Sequence, residues 1–125
     1  MIQRLVLIGV AGLVGTLARY GLSTLIARRF GESFPTGTLV VNVLGCFFAG
    51  FLFCLLTERF NASEIVRSLI FIGFLGGFTT FSSYGLQTLN LFREGDTALA
   101  VMYMLVSNVV GLATVWMGYS LARFL

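Results

Sequence analysis

The sequence predicts an all-α integral membrane protein with four transmembrane helices. Three observations lead there. The 125 residues are 58% hydrophobic and 10% charged, whereas a soluble domain carries about 25% charged residues. A domain this small is mostly surface and cannot hide so much apolar area from water. The charges are also clustered, dividing the chain into four apolar stretches near the ~20 residues needed to cross hydrocarbon. No separate soluble domain fits, so residues 1–125 read as a single four-helix transmembrane domain.

Span one covers about residues 5–27. Arg4 before "LVLIGVAGLVG" imitates a secretion signal, but the chain then continues into more membrane, not into a secreted domain. Gly9, Gly12 and Gly15 form a small-residue face suited to close helix packing. Arg19, in "GTLARYG", is the one embedded charge. It lies nine residues before Arg28, about 13 Å along a helix. It either snorkels to that interface or faces a watery vestibule and attracts anions. With no embedded acid to pair with, it favours an anionic ligand.

Span two covers about residues 38–56 and comes after a turn at Pro35 and Gly37. In "PTGTLVVNVLGC", Thr38 and Asn42 are four apart and share a face, which Gly45 continues. An Asn in hydrocarbon needs a partner. It either bonds to another helix or lines a pore as an amide donor. Cys46 and Cys54 lie about 12 Å apart on this helix, too far for a mutual disulfide.

Span three covers about residues 68–92 and contains "GFLGGFTTFSS" at 73–83. One continuous helix here would be about 37 Å long, against a hydrocarbon core of about 30 Å. The glycines and hydroxyls point to a break at "GGFTT" near mid-membrane. Non-helical backbone at that depth is tolerated only inside protein or beside a cavity. Freed carbonyls there can hold a cation, and half-helix N-termini favour anions. The alternative is an unbroken helix in which Gly76 and Gly77 merely permit close packing. Phe81 and Tyr84, three apart, share a face next to Ser82 and Ser83. Their electropositive ring edges can meet a small anion.

Span four covers about residues 98–122. Tyr103, Ser107, Gly111, Thr114 and Gly118 step down one face, with Asn108 beside them. The stripe serves helix packing, a polar path, or both.

Four spans put both termini and the middle connection on one side, with Arg4, Arg59, Arg67 and Arg123; the other side has Arg28, Arg29 and Arg93. Four against three gives the positive-inside rule almost nothing to act on. The simplest inference is insertion in both orientations, with opposite copies pairing as an antiparallel homodimer. All five acids lie in connections. That argues against a proton-coupled small multidrug exporter of cations, which needs a carboxylate in the membrane. It leaves open a non-transporting helical assembly subunit. The lack of His, of an embedded nucleophile–base pair and of a metal-ligand cluster argues against an enzyme.

"GVAGLVGTLARY", "PTGTLVVN" and "GGFTTFSS" resemble, in order and spacing, the signature segments of the Fluc (CrcB) fluoride channel family. The resemblance covers all four spans. It implies an antiparallel, dual-topology homodimer in the cell (inner or plasma) membrane that exports fluoride passively through two pores, with a structural Na+ at the dimer centre. By motif, Asn42 is similar to the family's pore asparagine, Phe81 to the first member of its aromatic pair, and Arg19 to its vestibule arginine. Gly76 and Thr79 match the positions whose carbonyls hold Na+. Thr38, Ser82, Ser83 and Thr114 resemble members of a hydroxyl track, and Ser107 falls on the span-four stripe beside it. Two positions depart: Tyr84 replaces the second phenylalanine, and Gln87 stands where a glutamate is common.

Overall fold

Four helical segments are long and apolar enough to cross a membrane in the computed structural model, which describes residues 1–125. Helix α1 is Ile2–Phe30 and α2 is Thr36–Arg59. The third segment, Glu64–Arg93, comprises α3 (residues 64–78) and α4 (Phe81–Arg93). Helix α5 is Thr97–Phe124. The helices run past the apolar stretches at their ends because polar residues continue each helix toward the interface. Arg28 and Arg29 occupy the last turn of α1, where cations suit the C-terminal end of the helix dipole. Gly31 then ends α1 at φ 84°, its N–H donating to the Ala27 carbonyl at 2.8 Å; a left-handed residue of this kind favours glycine.

Close backbone approach sets the packing. Helix α5 lies mainly against α2, and a Cβ at Gly118 would strike the Phe47 carbonyl. Helix α1 packs on α3, and a Cβ at Gly15 would overlap the Phe74 carbonyl. Gly12 also belongs to this contact, with the Gly73 carbonyl 3.6 Å from where its Cβ would be, whereas Gly9 has nothing within 4 Å. The small-residue face of α1 is therefore used at Gly12 and Gly15. Leu13, Leu17, Val109, Leu112 and Trp116 remain exposed on the single chain, as residues facing lipid or another chain would be.

Arginine hydrogen bonds, one of them an ion pair, tie the two ends of the chain to the middle connection. Arg4 Nη2 donates to Glu64 Oε1 at 2.8 Å and to Ser68 Oγ at 2.7 Å. Arg59 Nη2 donates to the Leu125 carbonyl at 2.8 Å. The connections 31–35 and 94–96 lie at the opposite end.

The backbone has two irregularities that composition does not foretell: Cys54–Arg59 and Ser68–Phe74 are wound as π-helix. The third irregularity lies within "GGFTT" and is narrower than expected. Gly76, Gly77 and Phe78 stay helical; Thr79 (φ −89°, ψ 157°) and Thr80 (φ −149°, ψ 115°) are extended. The reason is local. The Thr79 N–H still reaches the Leu75 carbonyl at 2.9 Å and completes the last turn of α3. The Thr80 N–H is the first to leave the helical ladder.

Candidate functional site

The site grows from the two extended threonines. The Thr80 N–H donates to Asn42 Oδ1 at 2.8 Å, and Asn42 Nδ2 donates back to the Thr80 carbonyl at 3.0 Å. One amide side chain thus replaces two backbone partners that a helix would have supplied. Thr80 is also the N-cap of α4: its Oγ1 accepts from the Ser83 N–H at 3.1 Å and donates to Ser83 Oγ at 3.0 Å. Threonine is a favoured N-cap residue, but composition alone does not single out Thr80 from Thr79.

These diversions take the helical donors from the Gly76, Gly77 and Thr79 carbonyls at the junction of α3 and α4. Gly76 would accept from the Thr80 N–H in a continuous helix, and that N–H is held by Asn42. Thr79 would accept from the Ser83 N–H, which is held by Thr80 Oγ1. Gly77 would accept from Phe81; instead its carbonyl receives Arg19 Nε at 3.1 Å. Arg19 is half-buried, so its guanidinium braces the backbone here as well as placing a positive charge in the bundle.

A cavity of about 440 Å³ opens beside this junction. Asn42, Gly76, Thr79, Thr80, Phe81, Tyr84, Ser107 and Asn108 are among the residues that line it, and no acidic residue borders it. Phe81 is 82% exposed on the single chain, so its ring is available to a ligand or a second chain. The Phe81 and Tyr84 rings are 5.4 Å apart at 45°, and Tyr84 continues to Tyr103 at 5.3 Å. The Ser107 hydroxyl oxygen is buried with no hydrogen-bond partner.

A second, more polar cavity of about 340 Å³ lies under the 31–35 connection. Thr38 and Gln87 form its floor, with Asn90, Glu32 and Glu94 around it. Gln87 Nε2 donates to Thr38 Oγ1 at 2.9 Å, and the Tyr103 hydroxyl donates to Gln87 Oε1 at 2.9 Å. Tyr103 is fully buried. A neutral amide joins three helices here, and this junction depends on a convergence that spacing within any one helix does not reveal.

The fold therefore brings Asn42, Gly76, Thr79, Phe81, Tyr84 and Ser107 to one cavity and places Thr38 at the other. Ser82 and Ser83 lie on the first turn of α4, outside both linings. Thr114 also lies apart: its hydroxyl is 2.9 Å from the Gly111 carbonyl and 3.3 Å from the Val43 carbonyl, a bond pattern that ties α5 to itself and to α2.

Comparison with known proteins places this architecture. The family model described as "CrcB-like protein, Camphor Resistance (CrcB)" matches residues 6–119. The chain is similar to the fluoride-specific ion channel FluC of Solibacter usitatus, 46% identical over 121 residues, covering 97% of this chain and 99% of that one. It is 45% identical to the protein of the same name from Roseiflexus sp., covering 98% and 99% of the two chains. Against that of Aquifex aeolicus it is 40% identical, covering 94% and 95%. Four membrane-length apolar helices and near full-length similarity make this a multi-pass integral membrane protein, and the chain belongs to the CrcB-like protein family.

Proposed function

We propose that the protein is a passive, fluoride-selective ion channel that lets fluoride leave the cell through the plasma (inner) membrane and so protects against its toxicity. The observation that carries the reading is the joint placement of Asn42, Phe81 and Tyr84 on one acid-free cavity at the N-terminus of α4. Fluoride is small and holds its water tightly, so a pore must replace that water with strong donors. Amide and hydroxyl hydrogens can do so, aromatic ring edges are electropositive, and the helix end adds a partial positive charge. A larger anion fits narrow donor-lined walls poorly. The full-length relatives are named as fluoride-specific channels, which supports the same ion here.

The working unit on this reading is an antiparallel, dual-topology homodimer. The nearly even arginine distribution and the exposed Phe81 support it. Gly76 and Thr79 are suited to a structural Na+ at the dimer centre. Their carbonyls have lost their helical donors, and neutral carbonyls suit a hard monovalent cation. Bound Na+ would offset the cost of carbonyls left without partners in lipid, several kcal/mol each. Asn42 and Arg19 would hold the surrounding backbone in place.

The test is ion efflux from liposomes containing the purified protein, read with fluoride- and chloride-selective electrodes. The expected result is rapid fluoride release with little chloride release. Equal release of both, or none, overturns the proposal.

A further inference from the structure

Tyr84 offers more than a ring to the cavity. Its hydroxyl oxygen accepts a hydrogen bond from Asn108 Nδ2 at 3.1 Å. The same Nδ2 donates its other hydrogen to the Met104 carbonyl at 2.8 Å, one turn back on α5. Both amide hydrogens of Asn108 are therefore spent, and the amide plane is fixed against its own helix. A phenolic O–H that accepts on one side keeps its proton for the other. The Tyr84 proton has no acceptor within the chain. The buried Ser107 hydroxyl, one residue before Asn108 and on the same cavity wall, also has no partner. An unpaired buried hydroxyl is costly. The Tyr84 proton and the unpaired Ser107 hydroxyl on one cavity are explained together if something that accepts hydrogen bonds passes between them.

We infer that Asn108 is a positioning residue: it holds the Tyr84 hydroxyl so that Tyr84 and Ser107 present O–H donors to a small, strongly hydrated monovalent anion in this cavity. The inference rests on the channel reading and deepens it. Tyr84 becomes a specificity-determining donor, and Asn108, which faces the cavity without a free hydrogen of its own, acts through it. O–H donors of this kind reward the anion with the highest charge density most, so their contribution is to the preference for fluoride over chloride and not merely to flux.

The test is the fluoride/chloride permeability ratio in liposomes for wild type, Tyr84→Phe, Asn108→Leu and the double variant, each checked for correct assembly by size-exclusion chromatography. Asn108→Leu keeps the side-chain size without either polar atom. Asn108→Ala serves as a second variant should the leucine disturb assembly. Each single variant is expected to lower the ratio about five-fold, the factor set by one neutral hydrogen bond of ordinary net strength. The double variant should match Tyr84→Phe, because Asn108 has no effect without the hydroxyl it holds. A further loss from the Asn108 change in the Tyr84→Phe background overturns the positioning role. An unchanged ratio in Tyr84→Phe overturns the donor role. Absence of fluoride flux in wild type would overturn the channel reading itself, and this inference with it.

Discussion

Asn42 and Thr80 hold each other by two hydrogen bonds, at 2.8 and 3.0 Å, across 38 residues of sequence. The pair fixes where the third membrane segment stops being helical. It also commits one of Asn42's two amide hydrogens to protein, leaving the other for the cavity.

Asn42→Asp should therefore fail twice. A carboxylate cannot donate to the Thr80 carbonyl, and it places a negative charge on the cavity wall. At 4 Å and an effective dielectric near 20, that charge opposes an anion by about 4 kcal/mol. We expect fluoride efflux to fall at least about a hundredfold in protein that still assembles. Near-normal efflux would remove Asn42 from the pathway.

Gly45 is where α2 makes room for the extended backbone. A Cβ there would overlap the Thr79 methyl group. Gly45→Ala should destabilise the protein by about 1–3 kcal/mol, the usual cost of overpacking, and slow efflux. Thr79→Ser removes the colliding methyl and keeps the hydroxyl, so it should restore much of the loss in the Gly45→Ala background. Thermal unfolding and efflux of the two single variants and the double variant check this. Failure of the serine to rescue would show that Gly45 matters for another reason.

The residues of "GGFTTFSS" mark the region of the break, but not its limits. Glycine and threonine weaken a helix, which makes a disruption legible. The stopping point depends on which N–H a side chain from another helix captures, and Asn42 captures that of Thr80. The four apolar segments were legible because hydropathy requires no tertiary information. The π-helical turns at Cys54–Arg59 and Ser68–Phe74 were not, because no residue pattern there differs from ordinary helix. Asn42, Phe81 and Tyr84 could be read as a set from spacing and motif. The Thr38–Gln87–Tyr103 junction and the Asn108 clamp on Tyr84 could not, because each joins different helices.

Orientation should be easy to tip. Adding two arginines to the 31–35 connection or to the 60–63 connection should drive most copies into one topology. Either biased variant alone should lose activity, and co-expression of the two should restore it. Full activity from one strongly biased variant expressed alone would rule out an antiparallel dimer.

Sodium should stabilise the purified protein. If the Gly76 and Thr79 carbonyls hold Na+, the unfolding temperature should rise with Na+ concentration. At a hundred times the dissociation constant the gain is about 2.7 kcal/mol. Potassium at equal ionic strength should give much less. Coincident curves in the two salts would argue against a sodium site.

The most direct measurement of the central claim is the reversal potential of current through the protein in a planar bilayer with a fluoride gradient and symmetric pH. A passive fluoride channel predicts a shift of about 59 mV for each tenfold change in the fluoride gradient, with no further shift when a proton gradient is added. A reversal potential that tracks the proton gradient, or that moves equally with chloride, would contradict the account.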